Sequence, residues 1–204
     1  MITIVDYGLG NVLAFMNVYS RLNIPVAVAK SADDLAKATK LILPGVGSFD
    51  HAMRQLELSG MRHAIEQLVL QKGIPVLGVC VGMQMLAKSS EEGMLAGLGW
   101  IDGKVRKFDL STMPRGASLP HMGWNDVQPV ADSGLFKGME QDARFYFLHS
   151  YYFQCRQQAD ILAVTDYGDQ FTCAVRRNNV YGVQFHPEKS HHFGSQLLKN
   201  FAEI

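Results

Sequence analysis

The stretch Gly73-Ile74-Pro75-Val76-Leu77-Gly78-Val79-Cys80-Val81-Gly82-Met83-Gln84 constrains this chain more than any other. Residues 74–79 are a short apolar run rich in β-branched side chains, with Gly73 and Pro75 at its entrance, and predict a buried strand. Residues 83–88 are mostly good helix formers and predict a helix. Only Gly78-x-Cys80-x-Gly82 separates the two, so the chain must turn from strand to helix within three residues. Such a turn strains its central residue, and the flanking glycines supply backbone without side chains where packing is tightest. This is the pattern of a nucleophile elbow, with cysteine where other enzymes carry serine. At a helix N-terminus the macrodipole and free N–H groups favour a thiolate on Cys80, and the Val81 N–H points where an oxyanion forms. An isolated free cysteine is more often a small buried hydrophobe. The glycines and the abrupt switch set Cys80 apart, and a base is needed beside it.

Residues 180–188, Val-Tyr-Gly-Val-Gln-Phe-His-Pro-Glu, offer that base. Pro187 forces His186 into an extended conformation. In extended chain, residues i and i+2 point to the same side, so Glu188 is expected behind the imidazole as acceptor for one ring nitrogen. The other nitrogen then faces the site, which gives nucleophile, base and orienter in the roles of a triad. His191 and His192 invite a metal reading together with His186, but beside Lys189 they suit a solvated helix start, and no metal is expected.

The rest of the chain alternates. Strands are expected at 2–5, 25–29 and 40–43. Between them come a helix capped by Asn11 and running to about Leu22, and a short helix opened by Ser31-Ala32-Asp33-Asp34. Gly8-x-Gly10 begins like a dinucleotide fingerprint, but Leu13 stands where the third glycine belongs. The Pro44-Gly45-Val46-Gly47 loop lacks the Gly-Lys-Ser/Thr of a phosphate loop and reads equally as a plain tight turn and as a backbone loop at a strand's carboxyl end, where open α/β sheets bind ligands. A helical pattern over 50–71, broken near Gly60, leads into the elbow. This order predicts an α/β fold with a mostly parallel sheet covered on both faces by helices. Beyond Lys88 the pattern changes to a glycine-rich segment over 93–103 and short strands at 104–108, 125–130, 145–153, 161–165, 171–176 and 180–185. The last two are joined across Arg177-Asn178-Asn179, which suits a tight hairpin. A loop is expected over 111–119, with Pro114 and Gly116, and a closing helix over 195–201. The second half is expected to extend the same sheet antiparallel, so that 1–204 form one domain.

With 19 basic and 19 acidic residues the formal charge is zero, which argues against nucleic acid and membrane surfaces as partners. No apolar run reaches membrane-spanning length, and no signal peptide is expected. The three cysteines, Cys80, Cys155 and Cys173, form no Cys-x-x-Cys pair and suit a reducing cytoplasm.

The elbow and His-Pro-Glu, with Asp6-Tyr7-Gly8-Leu9-Gly10-Asn11, Pro44-Gly45-Val46-Gly47, Pro120-His121-Met122-Gly123-Trp124-Asn125 and His149-Ser150-Tyr151-Tyr152, lie in order over nearly the whole chain. In these segments the sequence resembles the class I glutamine amidotransferases of the Cys-His-Glu group, and most closely the family of glutaminase subunits of imidazole glycerol phosphate synthases. Val81 departs from the leucine common at that position, but only its N–H is needed. The resemblance implies hydrolysis of glutamine to glutamate and ammonia by Cys80, His186 and Glu188, without a cofactor. It further implies that Gly47, Gln84, Ser150 and Tyr151 hold glutamine. The N–H groups of Val81 and of the 44–48 loop, Val46 foremost, would hold the oxyanion. It implies a heterodimer with a (β/α)8-barrel cyclase of histidine biosynthesis, docked near Asn11, His121, Met122, Trp124, Asn125 and Lys189. Glycine at 45 and 47 is expected to let the Val46 N–H turn toward the elbow or away from it. Three other readings are a paralogue supplying ammonia for sugar amidation in surface polysaccharide, a protease-like cysteine hydrolase, and a binding module without activity. Presence of all three triad residues speaks against the last.

Overall fold

The structure, a computed structural model, describes residues 1–111, 113, 118–139 and 141–204. The chain enters through β1 (Ile2–Val5), α1 (Val12–Arg21), β2 (Val26–Ala29), β3 (Lys40–Gly45), α2 (Phe49–Leu58) and α3 (Arg62–Glu66). It then forms β4 (Val76–Cys80), α4 (Val81–Gln84), β5 (Ser89–Ser90), β6 (Gly103–Lys107), β7 (His121–Asp126) and β8 (Gln128–Pro129). It closes with β9 (Arg144–His149), β10 (Tyr151–Cys155), β11 (Ile161–Tyr167), β12 (Asp169–Arg177), β13 (Val180–Val183) and α5 (His191–Glu203).

The main sheet runs β2-β1-β3-β4-β13-β12-β10-β6-β5, with β11 and β8 branching from β12. Its first five strands are parallel, and β12, β10 and β6 continue it antiparallel. Every residue of β1, β4 and β13 is buried, as expected for unbroken apolar runs in a sheet covered on both faces. By contrast β7 alternates exposed Met122, Trp124 and Asp126 with more covered His121, Gly123 and Asn125, and among the described residues it pairs only with β9, as a separate antiparallel ribbon. The expected α/β architecture, mostly parallel with an antiparallel extension, is therefore the one observed.

Pairing of β13 with β4 joins segments about a hundred residues apart in sequence. Gly182 lies opposite Gly78 and Val183 opposite Val79. Cys80 and His186 thus both follow parallel neighbours out of the same sheet edge, the carboxyl edge where open α/β sheets bind ligands. Gly45, at the end of β3, is paired with Cys80 itself.

Several expected elements differ. The helix expected over 83–88 is one turn, Val81–Gln84. Its continuation is taken over by the glycine-rich segment, whose Leu98, Ile101, Gly99 and Gly97 N–H groups bond the carbonyls of Met85, Leu86, Ala87 and Lys88. At Asp33–Lys37 the turn is 3₁₀, and it is fixed from inside by the Asp34 carboxylate, which accepts from the N–H groups of Lys30 and Ser31. The strand expected over 125–130 begins earlier, at His121, and divides into β7 and β8, while the aromatic run over 145–153 is two strands hinged at Ser150. The closing helix starts at His191. Of the loop expected over 111–119, residues 112 and 114–117, with Pro114 and Gly116, lie outside the described residues. No helix among the described residues is long and apolar enough to cross a membrane.

Candidate active site

Cys80 has φ 56° and ψ −114°, a left-handed backbone in a non-glycine residue. Such strain costs roughly 1–3 kcal/mol and persists only where packing enforces it. Here the enforcement is visible. A Cβ on Gly82 would lie 1.9 Å from the Leu43 carbonyl oxygen, and one on Gly78 would lie 2.6 Å from the Gly82 oxygen. A Cβ on Gly45 would lie 2.4 Å from the Gly82 nitrogen. The three glycines let β3, β4 and the elbow backbone touch. Gly45 is thus also a packing glycine, where a side chain cannot be placed, whereas a Cβ on Gly47, at φ 85°, would meet nothing within 4 Å. Because α4 is a single turn, its macrodipole is small, and the local N–H groups are what remain to act on Cys80. Tyr7, given no role of its own from the sequence, is buried beneath this loop and donates its hydroxyl to the Pro44 carbonyl at 2.6 Å.

His186 is extended, with φ −102°, and Pro187 opens a 3₁₀ turn, Pro187–Lys189, that brings Glu188 behind the ring. The Glu188 Oε1 lies 2.8 Å from His186 Nδ1. The contact therefore arises from an extended residue followed by a tight turn rather than from extended chain throughout. Ser190, fully buried, donates to the His186 carbonyl at 2.6 Å and accepts from the Tyr146 N–H at 3.0 Å, while the His186 N–H donates to the Tyr146 carbonyl. With Nδ1 engaged, Nε2 is left for the cavity. Burial opposes charge on this imidazole, but hydrogen bonds and charge interactions with Cys80 and Glu188 outweigh it and raise its pKa to about 10.

Cys80 and His186 line one cavity of about 300 Å³ with Val46, Gly47, Val81, Gln84, Ser150 and Tyr151. That volume is at the small end of ligand pockets, roughly 300–1,000 Å³. Charged Glu92 and Lys189 also line it. The structure thus gathers all the residues proposed for substrate and oxyanion, with Glu188 behind His186. Glu92 escaped sequence reading. Its carboxylate accepts from the Phe49 N–H at 2.8 Å and so caps α2 from another segment. Gln84 is buried, and its side-chain nitrogen donates both to the Tyr151 carbonyl at 3.2 Å and to Gln184 Oε1 at 3.0 Å. Only its oxygen remains for a ligand.

The residues expected at a docking face divide. Met122 is 65% exposed and Trp124 42%, on the outer side of the β7–β9 ribbon, and Leu148 opposite Met122 continues that surface to the cavity. Trp124 stacks on His191 with ring centroids 5.2 Å apart. Asn11 caps α1 and is exposed, as is Lys189, whose ammonium lies over the Tyr146 ring. His121 does not join them. It is 4% exposed, on the inner side of the ribbon, stacked between Phe147 and Tyr167. Its Nδ1 lies 3.0 Å from His149 Nε2, and His149 Nδ1 lies 2.7 Å from the Tyr151 carbonyl. Half-buried Asn125 reaches His121 Nε2 and the Asp166 carbonyl. Burial depresses both imidazoles, His121 to about 4 and His149 to about 3.

The family model for glutamine amidotransferase class-I matches residues 3–204. Among similar chains, an imidazole glycerol phosphate synthase subunit HisH of Bdellovibrio bacteriovorus is 64% identical over the full length of both. One of that name from Leptospira interrogans is 53% identical, again over both full lengths. Among solved structures, a glutamine amidotransferase superimposes with TM-score 0.75 at 19% identity, covering 99% of this chain and 97% of that one. PurLQS from Thermotoga maritima does so with TM-score 0.76 at 15% identity and the same coverage. At such identities these two structures bear on the fold alone.

Proposed function

This chain belongs to the class I glutamine amidotransferases, and on that basis we propose that it is the glutaminase subunit of an imidazole glycerol phosphate synthase. It hydrolyses glutamine to glutamate and passes the ammonia to a cyclase subunit of histidine biosynthesis. The full-length relatives carry the histidine-pathway name, which disfavours the sugar-amidation alternative. The observation that carries the chemistry is the strained Cys80 in one cavity with a His186 that Glu188 holds from behind.

In this mechanism His186 already holds the proton taken from Cys80, and the thiolate sulfur adds to the side-chain amide carbon of glutamine. The N–H groups of Val81 and Val46 receive the oxyanion. Collapse forms a thioester, and His186 returns the proton to the leaving nitrogen, which departs as ammonia. A water, deprotonated by His186, then adds to the thioester, and glutamate leaves as the thiol is restored. Glu92 is placed to meet the ammonium group of a free amino acid, which a peptide bond would lack. Gly47, Ser150 and Tyr151 fix the rest of the substrate. The docking face is the outer side of β7–β9, Met122, Trp124 and Leu148, together with Asn11, which follows β1, and Lys189, which follows β13, on the carboxyl side of the main sheet. An exposed Trp and Met beside the cavity mouth suit an interface core. The partner is a (β/α)8-barrel cyclase in a heterodimer, and the lyase step is its own. Residues 1–204 act as one domain, in the cytoplasm, where free thiols stay reduced.

Glutamate release from glutamine, measured with and without the histidine-pathway cyclase, tests the reading. Cys80→Ala should abolish glutamine-dependent synthesis while synthesis from ammonium salt by the complex continues. Substantial glutamate release by Cys80→Ala would remove the mechanism.

A further inference from the structure

Gln184 has no surface exposure and follows β13 between the base and the sheet. Its side-chain nitrogen lies 3.8 Å from Cys80 Sγ. Which end of a buried amide faces a sulfur is normally open, since oxygen and nitrogen have the same shape. Here the neighbours decide it. The Tyr151 carbonyl oxygen can only accept. It accepts from His149 Nδ1 at 2.7 Å and from Gln84 at 3.2 Å, so Gln84 must present its NH2 there. The same NH2 meets Gln184 at 3.0 Å, and Gln184 must answer with its oxygen. That leaves the Gln184 NH2 toward sulfur. The same logic fixes the histidines. His149 spends its proton on Tyr151, its Nε2 accepts from His121 Nδ1–H, and His121 Nε2 accepts from Asn125. A chain of donors anchored on one backbone carbonyl therefore ends at the reacting atom.

We infer that Gln184 is a further catalytic residue, whose amide N–H stabilises the negative charge that Cys80 sulfur carries before it attacks and again when the thioester is broken. The inference rests on the glutaminase reading for its catalytic meaning, but the contact is tested without it. The Leu148 carbonyl, 3.9 Å from Sγ, accepts from the neutral thiol and repels the thiolate, so the Gln184 donor offsets an opposing dipole. A hydrogen bond to a charged group corresponds to about 10- to 100-fold in rate when it is present only in the reactive form.

The test is alkylation of Cys80 by iodoacetamide, followed by peptide mass mapping, in the unsubstituted chain and in Gln184→Met and Gln184→Glu. Cys155, half-buried and not among the residues that line the cavity, serves as the internal reference. The Cys80 rate should fall about 10- to 100-fold in Gln184→Met, and further in Gln184→Glu, with the Cys155 rate unchanged. Gln184→Glu keeps the shape and the contact with Gln84, so it decides the matter where Gln184→Met does not fold. A Cys80 rate within about twofold of the unsubstituted chain in either folded variant overturns the inference. In the cyclase complex, kcat for glutamine should fall with the alkylation rate while KM stays within about threefold, a split that loosened packing alone would not produce. Alkylation that responds to Gln184 in a chain releasing no glutamate would instead overturn the glutaminase reading and leave the contact standing.

Discussion

Cys80, His186 and Glu188, the three side chains of the proposed mechanism, are positioned by quite different local devices: a strained elbow, a backbone clamp and a 3₁₀ turn. The second Glu188 oxygen is buried without a hydrogen-bond partner among the described residues. A glutamine at 188 can therefore keep its oxygen on His186 Nδ1 and place its NH2 where no donor now stands. Only the charge is lost. Glu188→Gln should accordingly lower kcat less than His186→Ala, by one or more orders of magnitude, because His186→Ala removes the proton carrier itself. Steady-state glutamate release in the cyclase complex measures both. Equal losses would give Glu188 a larger part than orienting the ring, and an undiminished Glu188→Gln would remove it from the triad. Ser190→Ala should also reduce kcat, since it frees the His186 backbone on one side and the Tyr146 N–H on the other. Circular dichroism should show the fold retained.

Two glycines, Gly82 in the elbow and Gly47 in the loop after β3, answer to different physics. Gly82→Ala drives a methyl group into the Leu43 carbonyl, backbone against backbone, and neither strand can move without breaking the β3–β4 ladder. The expected loss of stability exceeds about 4 kcal/mol, in the range reserved for core overpacking and strain. Gly47→Ala meets no atom within 4 Å, and its only cost is the left-handed φ of 85°, about 1–2 kcal/mol. Urea unfolding of the two variants should separate them clearly. A Gly82→Ala protein as stable as Gly47→Ala would mean that the elbow is looser than the β3–β4 contact implies. Gly45→Ala belongs with Gly82→Ala, so it would disturb the nucleophile itself and cannot serve as a simple probe of loop turning.

For the molecule as a whole, the buried His121–His149 pair makes stability depend on pH. Both are neutral in the fold and charge more readily when unfolded, where the ordinary value is about 6.5. Their contribution is complete above about pH 6.5 and is lost as pH falls toward their folded values of about 4 and about 3. His186 acts in the opposite sense: its folded pKa is about 10, so its contribution is complete below 6.5 and is lost as pH rises toward 10. Thermal melts should therefore show Tm falling from pH 6.5 to 4. His121→Phe, which keeps an aromatic ring between Phe147 and Tyr167, should flatten that fall. An unchanged acid slope in the variant would assign the titration to other groups.

Much of this site could be read from the chain because its parts are local. The elbow needs glycines two residues either side of Cys80, and the base needs proline and glutamate directly after it, so both leave a fixed spacing in the sequence. The parallel sheet was equally legible, since unbroken apolar strands alternating with helices admit few other arrangements. What stayed hidden depended on contacts between distant segments. The length of α4 was set by carbonyls captured from 97–101, the role of Glu92 by α2, and the burial of His121 by which face of an isolated ribbon met the core. Propensity and periodicity describe one segment at a time, and neither carries the partner. The orientation of Gln184 shows the limit most sharply: sequence supplies a symmetric-looking amide, and only Tyr151, His149 and Gln84, meeting in the folded chain, decide that its nitrogen faces sulfur.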